Sequence, residues 1–387
     1  MTDGYPARTI VGIPKETAPD ERRVALFPEL VGKLTNLGVD VLVQGGAGVA
    51  AGFSDSSYAE KGARIEREVL AVADILLKVQ PPTTDEIAQM KEGSILIGFL
   101  QPYTNGGGIK ALAERRVTAF SMELMPRITR AQPMDALSAM STVAGYKAVL
   151  IAANHLPKFF PLLMTAAGTI TPARVFIIGA GVAGLQAIGT AKRLGAIVEA
   201  YDTRPAVKEQ VESLGARFAE LKLGARDAED KSGYAKAQSE EFYQEQQQMM
   251  SKWVSASDVV ITTALVPGQR APTLITEEMV KGMRPGSVIV DLAAEQGGNC
   301  ALTEPEREIV KHGVLIVGTT NLPRTMPYHA SQMYARTVTS FLTHLFSEGR
   351  IHLDLKDELT SGPLVTHQGE ILHPAVKATL ADGVKVS

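Results

Sequence analysis

Gly179, Gly181 and Gly184 follow the apolar run Val175-Phe-Ile-Ile178 in the order G-x-G-x-x-G, and a helical stretch, Leu185 to Leu194, comes after them. Strand, glycine turn and helix in that order make a site for phosphate. The first glycine permits a tight turn, the second lets the backbone approach a pyrophosphate, and the third lets the helix pack close to the strand, with its N-terminus facing the negative charge. Asp202 ends the next strand-like segment, Ile197–Asp202, eighteen residues beyond Gly184 and near the spacing of an acid that holds an adenosine ribose. Such an acid accepts hydrogen bonds from the ribose hydroxyls and repels a 2′-phosphate, which favours NAD(H) over NADP(H). Arg204, two residues on, either pairs with Asp202 or faces solvent.

A second cluster lies upstream. Pro126-Arg-Ile-Thr-Arg-Ala-Gln-Pro-Met-Asp-Ala-Leu-Ser138 gathers Arg127, Arg130, Gln132, Asp135 and Ser138 into a short loop and the first turns of a helix predicted over Pro133–Asn154. Pro133 suits an early helical position and Asp135 complements the helix dipole, while Asp135 and Ser138, three apart, share a face. An ordinary cap accounts for Asp135 and leaves Arg127, Gln132 and Ser138 unexplained. Proton-transfer groups are scarce. The histidines are His155, His312, His329, His344, His352, His367 and His373, and none falls among the strand-end loops before residue 155 or between the glycine turn and the strand-like run Ser287–Asp291.

The elements that must hold these residues read as α/β throughout. Strand-like segments at Thr9–Ile13, Val39–Val43, Asp74–Val79, Ser94–Ile97 and Thr118–Ser121 alternate with helical patterns at Phe27–Leu37 and Thr84–Met90, which predicts a first domain with a parallel sheet. From Ala173 six more strands follow, at Val175–Ile178, Ile197–Tyr201, Ala216–Ala219, Asp258–Thr263, Ser287–Asp291 and Val314–Val317. The predicted fold is two doubly wound, Rossmann-like domains with a cleft between them, joined by the helix at Pro133–Asn154 and an amphipathic one at Tyr328–Phe346 that a short tail follows. The nucleotide domain, 136–327, is inserted into a discontinuous first domain, 1–135 plus 328–387. A polar stretch between Leu223 and Trp253 reads as a long loop with the character of a lid, then a solvated helix over Ser239–Met250.

Composition bounds the partners. A net charge of −3 offers no basic excess for nucleic acid, and one cysteine, Cys300, rules out an internal disulfide and a Cys/His metal cluster. The N-terminus lacks a signal-peptide core, and the longest apolar runs fall short of the roughly 18–20 residues of a spanning helix. The expectation is a protein of a reducing compartment, with no metal and no membrane span.

Across nearly its whole length the chain resembles a known family. Gly12-Ile-Pro-Lys-Glu16, Arg22-Arg-Val-Ala-Leu26, Leu77-Lys-Val-Gln-Pro81, the Arg127/Gln132/Asp135 loop, Met164-Thr-Ala-Ala-Gly-Thr169, the glycine turn, Gly233-Tyr-Ala-Lys236, Ile261-Thr-Thr-Ala-Leu-Val-Pro-Gly268 and Asp291-Leu-Ala-Ala-Glu-Gln-Gly-Gly-Asn-Cys300 look like the soluble NAD(H)-binding subunits of proton-translocating NAD(P) transhydrogenases. The resemblance implies a Si/Re-specific hydride transfer from NADH to NADP+ on a partner subunit. It makes Arg127 a holder of the nicotinamide carboxamide or a nearby phosphate, Asp135 its orienting partner, Ser138 a carboxamide contact, Gln132 a reach toward the second nucleotide's ribose, and Tyr234 part of a closing loop. It extends the cofactor site to Ala180, Val182, Ala183, Thr203 and Arg204, and to Thr263, Ala264 and Leu265. It also implies NADP(H)-binding and transmembrane partners, a homodimer built by the segment Phe159–Pro172, and a peripheral position on the cytoplasmic face of the inner membrane. The chain's end at Ser387 without a spanning segment fits the split arrangement of that family.

Alanine dehydrogenases share the framework and resemble this chain at Arg23 and Lys78, their substrate-binding positions. Where they carry a catalytic histidine and aspartate, this chain has Gln101 and Glu295. Glutamine cannot relay a proton near neutral pH, whereas hydride passing between two nicotinamide C4 atoms transfers no proton at all. A non-catalytic NAD-sensing module is a further alternative, which leaves the Arg127/Gln132/Asp135 loop without a purpose.

Overall fold

The structure is a computed structural model that describes residues 8–220, 240–265, 270–347 and 350–381. The chain forms two compact units, Met1–Met140 with Arg324–Ser387, and Ser141–Pro323.

In the first unit the parallel strands lie in the order Arg64–Glu66, Asp40–Gln44, Ile10–Ile13, Ile75–Leu77, Ile95–Gly98, Thr118–Ser121. Numbered along the chain this is 3-2-1-4-5-6, the doubly wound order. The strands Ile75–Leu77, Ile95–Gly98 and Thr118–Ser121 are buried at every position, as expected for a sheet covered on both faces. The sheet is not purely parallel, which corrects the sequence expectation. Leu364–His367 returns to pair antiparallel with Thr118–Ser121, and Glu370–Ile371 closes that edge as a hairpin. Four residues after Gly362-Pro363 carry too little periodicity to announce this strand, so the sequence showed only a tail. The helix Pro327–His344 buries Tyr334, Val338, Phe341 and Leu342 on one face, the spacing predicted for it.

The second unit repeats the order: Arg217–Phe218, Ile197–Tyr201, Arg174–Ile178, Val259–Thr262, Val288–Asp291, Val314–Val317. A seventh strand, Glu308–Lys311, runs antiparallel to Val314–Val317 through a two-residue turn in which His312 and Gly313 both take positive φ, at 53° and 77°. Alternate residues of the first strand serve opposite faces. Val175 and Ile177 join one buried cluster, with Ala187, Ile188 and Val290, while Phe176 and Ile178 join another, with Met250, Val254 and Ile289. The expected solvated helix is longer than predicted, Glu240–Ala256, and anchors Met250 and Val254 in that second cluster.

The helix Ala136–His155 begins later than predicted, because Thr129–Met134, Pro133 included, is a 3-10 turn ahead of it. It is 20 residues long with an 18-residue stretch of mean hydropathy 1.4, which is long and apolar enough to cross a membrane by length and composition. Ala148, Val149 and Ala152 are fully buried in the second unit's core. Small residues let this helix pack closely: a Cβ on Gly145 would lie 2.1 Å from the Ala183 carbonyl oxygen, beside the glycine turn.

Candidate nucleotide site

The sheet order of the second unit reverses between Arg174–Ile178 and Val259–Thr262, and a crevice beyond the C-terminal ends of strands at such a point is where nucleotides bind. The glycine turn sits there. Gly179 takes φ +97°, and a Cβ on it would meet the Thr263 hydroxyl oxygen at 2.4 Å. Gly181 caps the helix Val182–Arg193, and a Cβ on Gly184 would lie 1.9 Å from the Gly179 carbonyl oxygen. Gly179 and Gly184 therefore make the tight turn and the close helix–strand packing that their positions in the pattern require. Thr263 ties the two strand ends together, its hydroxyl donating to the Gly179 carbonyl at 3.0 Å.

Asp202 is buried, and its carboxylate is fully engaged. Oδ2 accepts from the Ala180 N–H at 2.7 Å and from Arg204 Nη2 at 2.9 Å, and Oδ1 accepts from the Arg204 N–H and Nε, both at 2.9 Å. Of the two alternatives left open for Arg204, the ion pair is the one formed. The same contacts bind the fingerprint turn to the end of the second strand.

Across the neighbouring strand end, Asp291 is wholly buried. Its carboxylate accepts from the Thr262 and Thr303 hydroxyls and from the N–H groups of Ala293, Asn299 and Cys300. Asn299, also fully buried, then clasps Ala264 and the Pro272 carbonyl. Asp291 and Asn299 stand in the motif quoted above, but no role was expected for either. The signal was the polar and glycine run Glu295-Gln-Gly-Gly-Asn299 that begins four residues after the end of a buried strand.

The second predicted cluster lies in the first unit. Asp135 caps the helix Ala136–His155: Oδ1 accepts from the Ser138 N–H at 2.8 Å and Oδ2 from the Ser138 hydroxyl at 2.5 Å. Arg127 and Gln132 are exposed, and Arg130 pairs with Asp357 at 2.8 Å. Val182, Ala183 and Thr203 flank the glycine turn and Asp202, and Leu265 follows Ala264. Tyr234 and the segment expected to close over the site lie outside the described residues. Among the described residues no cluster of three or more His, Cys, Asp or Glu is placed to hold a metal.

The first unit has its own reversal point, between Ile10–Ile13 and Ile75–Leu77, and charged side chains fill it. Lys78, 1% exposed, pairs with Glu16 at 3.3 Å and Glu86 at 3.1 Å. Arg23 grips Glu21 through Nε at 2.7 Å and Nη2 at 2.6 Å, and Gln80 donates to the same carboxylate at 2.8 Å. Burial pushes the Glu16 carboxyl up despite Lys78. Burial also works against Glu21, but the Arg23 hydrogen bonds and charge outweigh it and bring that carboxyl down to about 2. Gln101 sits nearby in the chain at φ +49°, exposed, its N–H held by Glu123, whose carboxyl burial pushes up. Glu295 is exposed on a short 3-10 turn.

Residues 12–144 match the family described as alanine dehydrogenase/PNT, N-terminal domain, and residues 148–374 match its C-terminal domain. The chain belongs to the alanine dehydrogenase/PNT family. Within this family it is 50% identical over 377 residues to an NAD(P) transhydrogenase alpha-subunit chain of Rhodospirillum rubrum, covering 95% of this chain and 98% of that one. Identity to the alanine dehydrogenase of Staphylococcus saprophyticus subsp. saprophyticus is 32% over 381 residues, 96% of each chain. Among solved alanine dehydrogenase/PNT structures, the transhydrogenase from Sinorhizobium meliloti superposes with TM-score 0.83 at 42% identity, covering 95% of this chain and 99% of that one. An L-alanine dehydrogenase superposes with TM-score 0.82 at 27% identity, covering 97% and 100%. Fold alone does not separate the two branches of the alanine dehydrogenase/PNT family, whereas the sequence identities favour the transhydrogenase one.

Proposed function

We propose that the chain is the NAD(H)-binding component of a proton-translocating NAD(P) transhydrogenase, which passes hydride from NADH directly to NADP+ held by a partner subunit. The observation that carries this reading is the closure of Arg23 and Lys78 on Glu21, Glu16 and Glu86. A keto-acid substrate needs those two cations for its carboxylate, and here both are committed to internal carboxylates in a buried network. Carbonyl chemistry also needs a group that relays a proton, and Gln101 is none. Hydride transfer between two nicotinamides needs neither. It requires two rings held in near-attack contact and shielded from water, which is work for binding residues.

NAD(H) lies along the glycine turn with its adenosine ribose at Asp202. Arg127 holds the nicotinamide end, Asp135 and Ser138 brace it, and Gln132 reaches the partner's nucleotide. Tyr234 belongs to a segment that closes over the bound cofactor. Phe159, Leu162 and Met164, at 55%, 53% and 79% exposure, stand on and before the antiparallel hairpin Leu163–Thr165/Gly168–Ile170, and this apolar patch supports a homodimer contact. Membrane attachment, at the cytoplasmic face, runs through partner subunits.

Two assays on the purified chain test this. With an NADP(H)-binding partner subunit, NADH should reduce NADP+. With pyruvate and ammonium, or alanine and NAD+, turnover should stay well below about 1 s⁻¹, the low end of ordinary enzyme rates. Amino-acid turnover above that rate would make the alanine dehydrogenase reading the right one. Gln132→Asn in the reconstituted complex should retain NADH binding and slow transfer by on the order of a hundredfold, the cost of about 1 Å in reacting geometry.

A further inference from the structure

We propose that Arg204 is a specificity-determining residue of the nucleotide site: it neutralises Asp202 and occupies the acceptor positions a ribose diol would use, and so limits how strongly the site rejects a 2′-phosphate. The inference rests on the NAD(H)-binding reading above and deepens it.

An ionised carboxylate offers about four acceptor sites. Asp202 has four donors on it, and three belong to Arg204. The guanidinium meets the carboxylate edge to edge, through Nε and Nη2, the geometry of a strong bidentate pair. Side-chain exposure is 15% for Arg204 and 5% for Asp202, so water screens the pair poorly. The guanidinium also lies over the glycine turn, its Nη2 3.9 Å from where a Cβ on Gly181 would be. Arg204 thus stands between Asp202 and the path of a nucleotide crossing that glycine.

Two consequences follow from this placement. A ribose can reach Asp202 only by displacing one edge of the guanidinium, so each hydrogen bond it gains is partly offset by one that Arg204 gives up. Second, the corner carries a balanced charge instead of a bare −1. The repulsion by which an acid excludes a 2′-phosphate is thereby countered by a cation that, once swung off Asp202, is itself a good phosphate ligand.

Equilibrium titration of NADH, and of NADPH in competition with it, for wild type, Arg204→Ala and Arg204→Lys tests the proposal. Arg204→Ala should widen the NADH-to-NADPH affinity ratio by about tenfold, the size of one charge-assisted hydrogen bond, with the change falling mainly on NADPH. Arg204→Lys keeps the charge and should hold the ratio within about threefold of wild type. Arg204→Gln serves in place of Arg204→Ala if thermal melting shows that variant unfolded. An unchanged or narrowed ratio on loss of the cation, or equal loss of both nucleotides, overturns the proposal, and so does a wild-type chain that NADPH at millimolar concentration cannot compete from. Failure of the wild type to bind NADH instead overturns the underlying reading, and is distinguished by the first titration alone.

Discussion

Asn299 clasps Ala264 at both ends of that residue's backbone: its amide oxygen accepts from the Ala264 N–H at 3.0 Å, and its amide nitrogen donates to the Ala264 carbonyl at 2.9 Å. Asn299 is itself seated by Asp291, which accepts its N–H at 2.8 Å, so a buried acid fixes the loop after Val259–Thr262 through one intervening residue. Asn299→Ala strips partners from part-buried backbone groups of Ala264 and Pro272, at about 1 kcal/mol each. A lower melting temperature and a loss of NADH affinity of about tenfold are expected, read by thermal unfolding and calorimetric titration. NADH affinity equal to wild type in the folded variant would remove Asn299 from the site.

Asp202→Ala should weaken NADH binding while leaving the Arg204 guanidinium without its carboxylate. The gap between NADH and NADPH should then narrow, opposite in sign to the Arg204→Ala result. Fluorescence titration of both nucleotides is the check, and a widened gap would mean that Asp202 does not face the ribose.

Gly145→Ala tests the close approach of the long helix to the glycine turn. A methyl placed 2.1 Å from the Ala183 carbonyl oxygen must push helix and turn apart, at about 1–3 kcal/mol. The melting temperature should fall by several degrees and NADH binding with it. A variant as stable as wild type would show that the two segments are not held this tightly.

The buried pair Glu21–Arg23 gives a pH signature. Glu21 falls from an ordinary 4.5 to about 2 in the folded chain, so its contribution is full above pH 4.5 and is lost as pH falls from there through about 2. Glu21→Gln should therefore be less stable than wild type at pH 7, with the difference shrinking between pH 4.5 and 3. Urea midpoints at pH 7, 4.5 and 3 measure this. A difference independent of pH would place the Glu21 effect in packing and not in charge.

Much of this was legible in the sequence because it depends on local pattern. Val175–Gly184 could be read as strand, turn and helix since each glycine serves a steric need within ten residues. The buried strands announced themselves as short apolar runs. What escaped was non-local. Leu364–His367 becomes a strand only because Thr118–Ser121 offers an edge some 245 residues earlier. Asp291 and Asn299 act on Ala264 and Pro272 across a loop, and no spacing rule joins them. Arg23 and Lys78 were visible as cations, yet their closure by Glu21, Glu16 and Glu86 needed two strand ends and the helix Thr84–Gln89 brought together. The Arg204–Asp202 pair was legible only as one of two alternatives, since two residues of separation permit both.

The central claim is direct hydride passage between two nicotinamides, and isotope transfer tests it most directly. The chain, reconstituted with an NADP(H)-binding partner subunit, is given NADH deuterated at both C4 positions and NADP+ in ordinary water, and the NADPH from the first turnover is analysed by mass spectrometry. Direct transfer requires NADPH carrying one deuterium per molecule. NADPH without deuterium, its hydrogen drawn from solvent, or no NADPH at all from a complex that binds both nucleotides, would contradict the account.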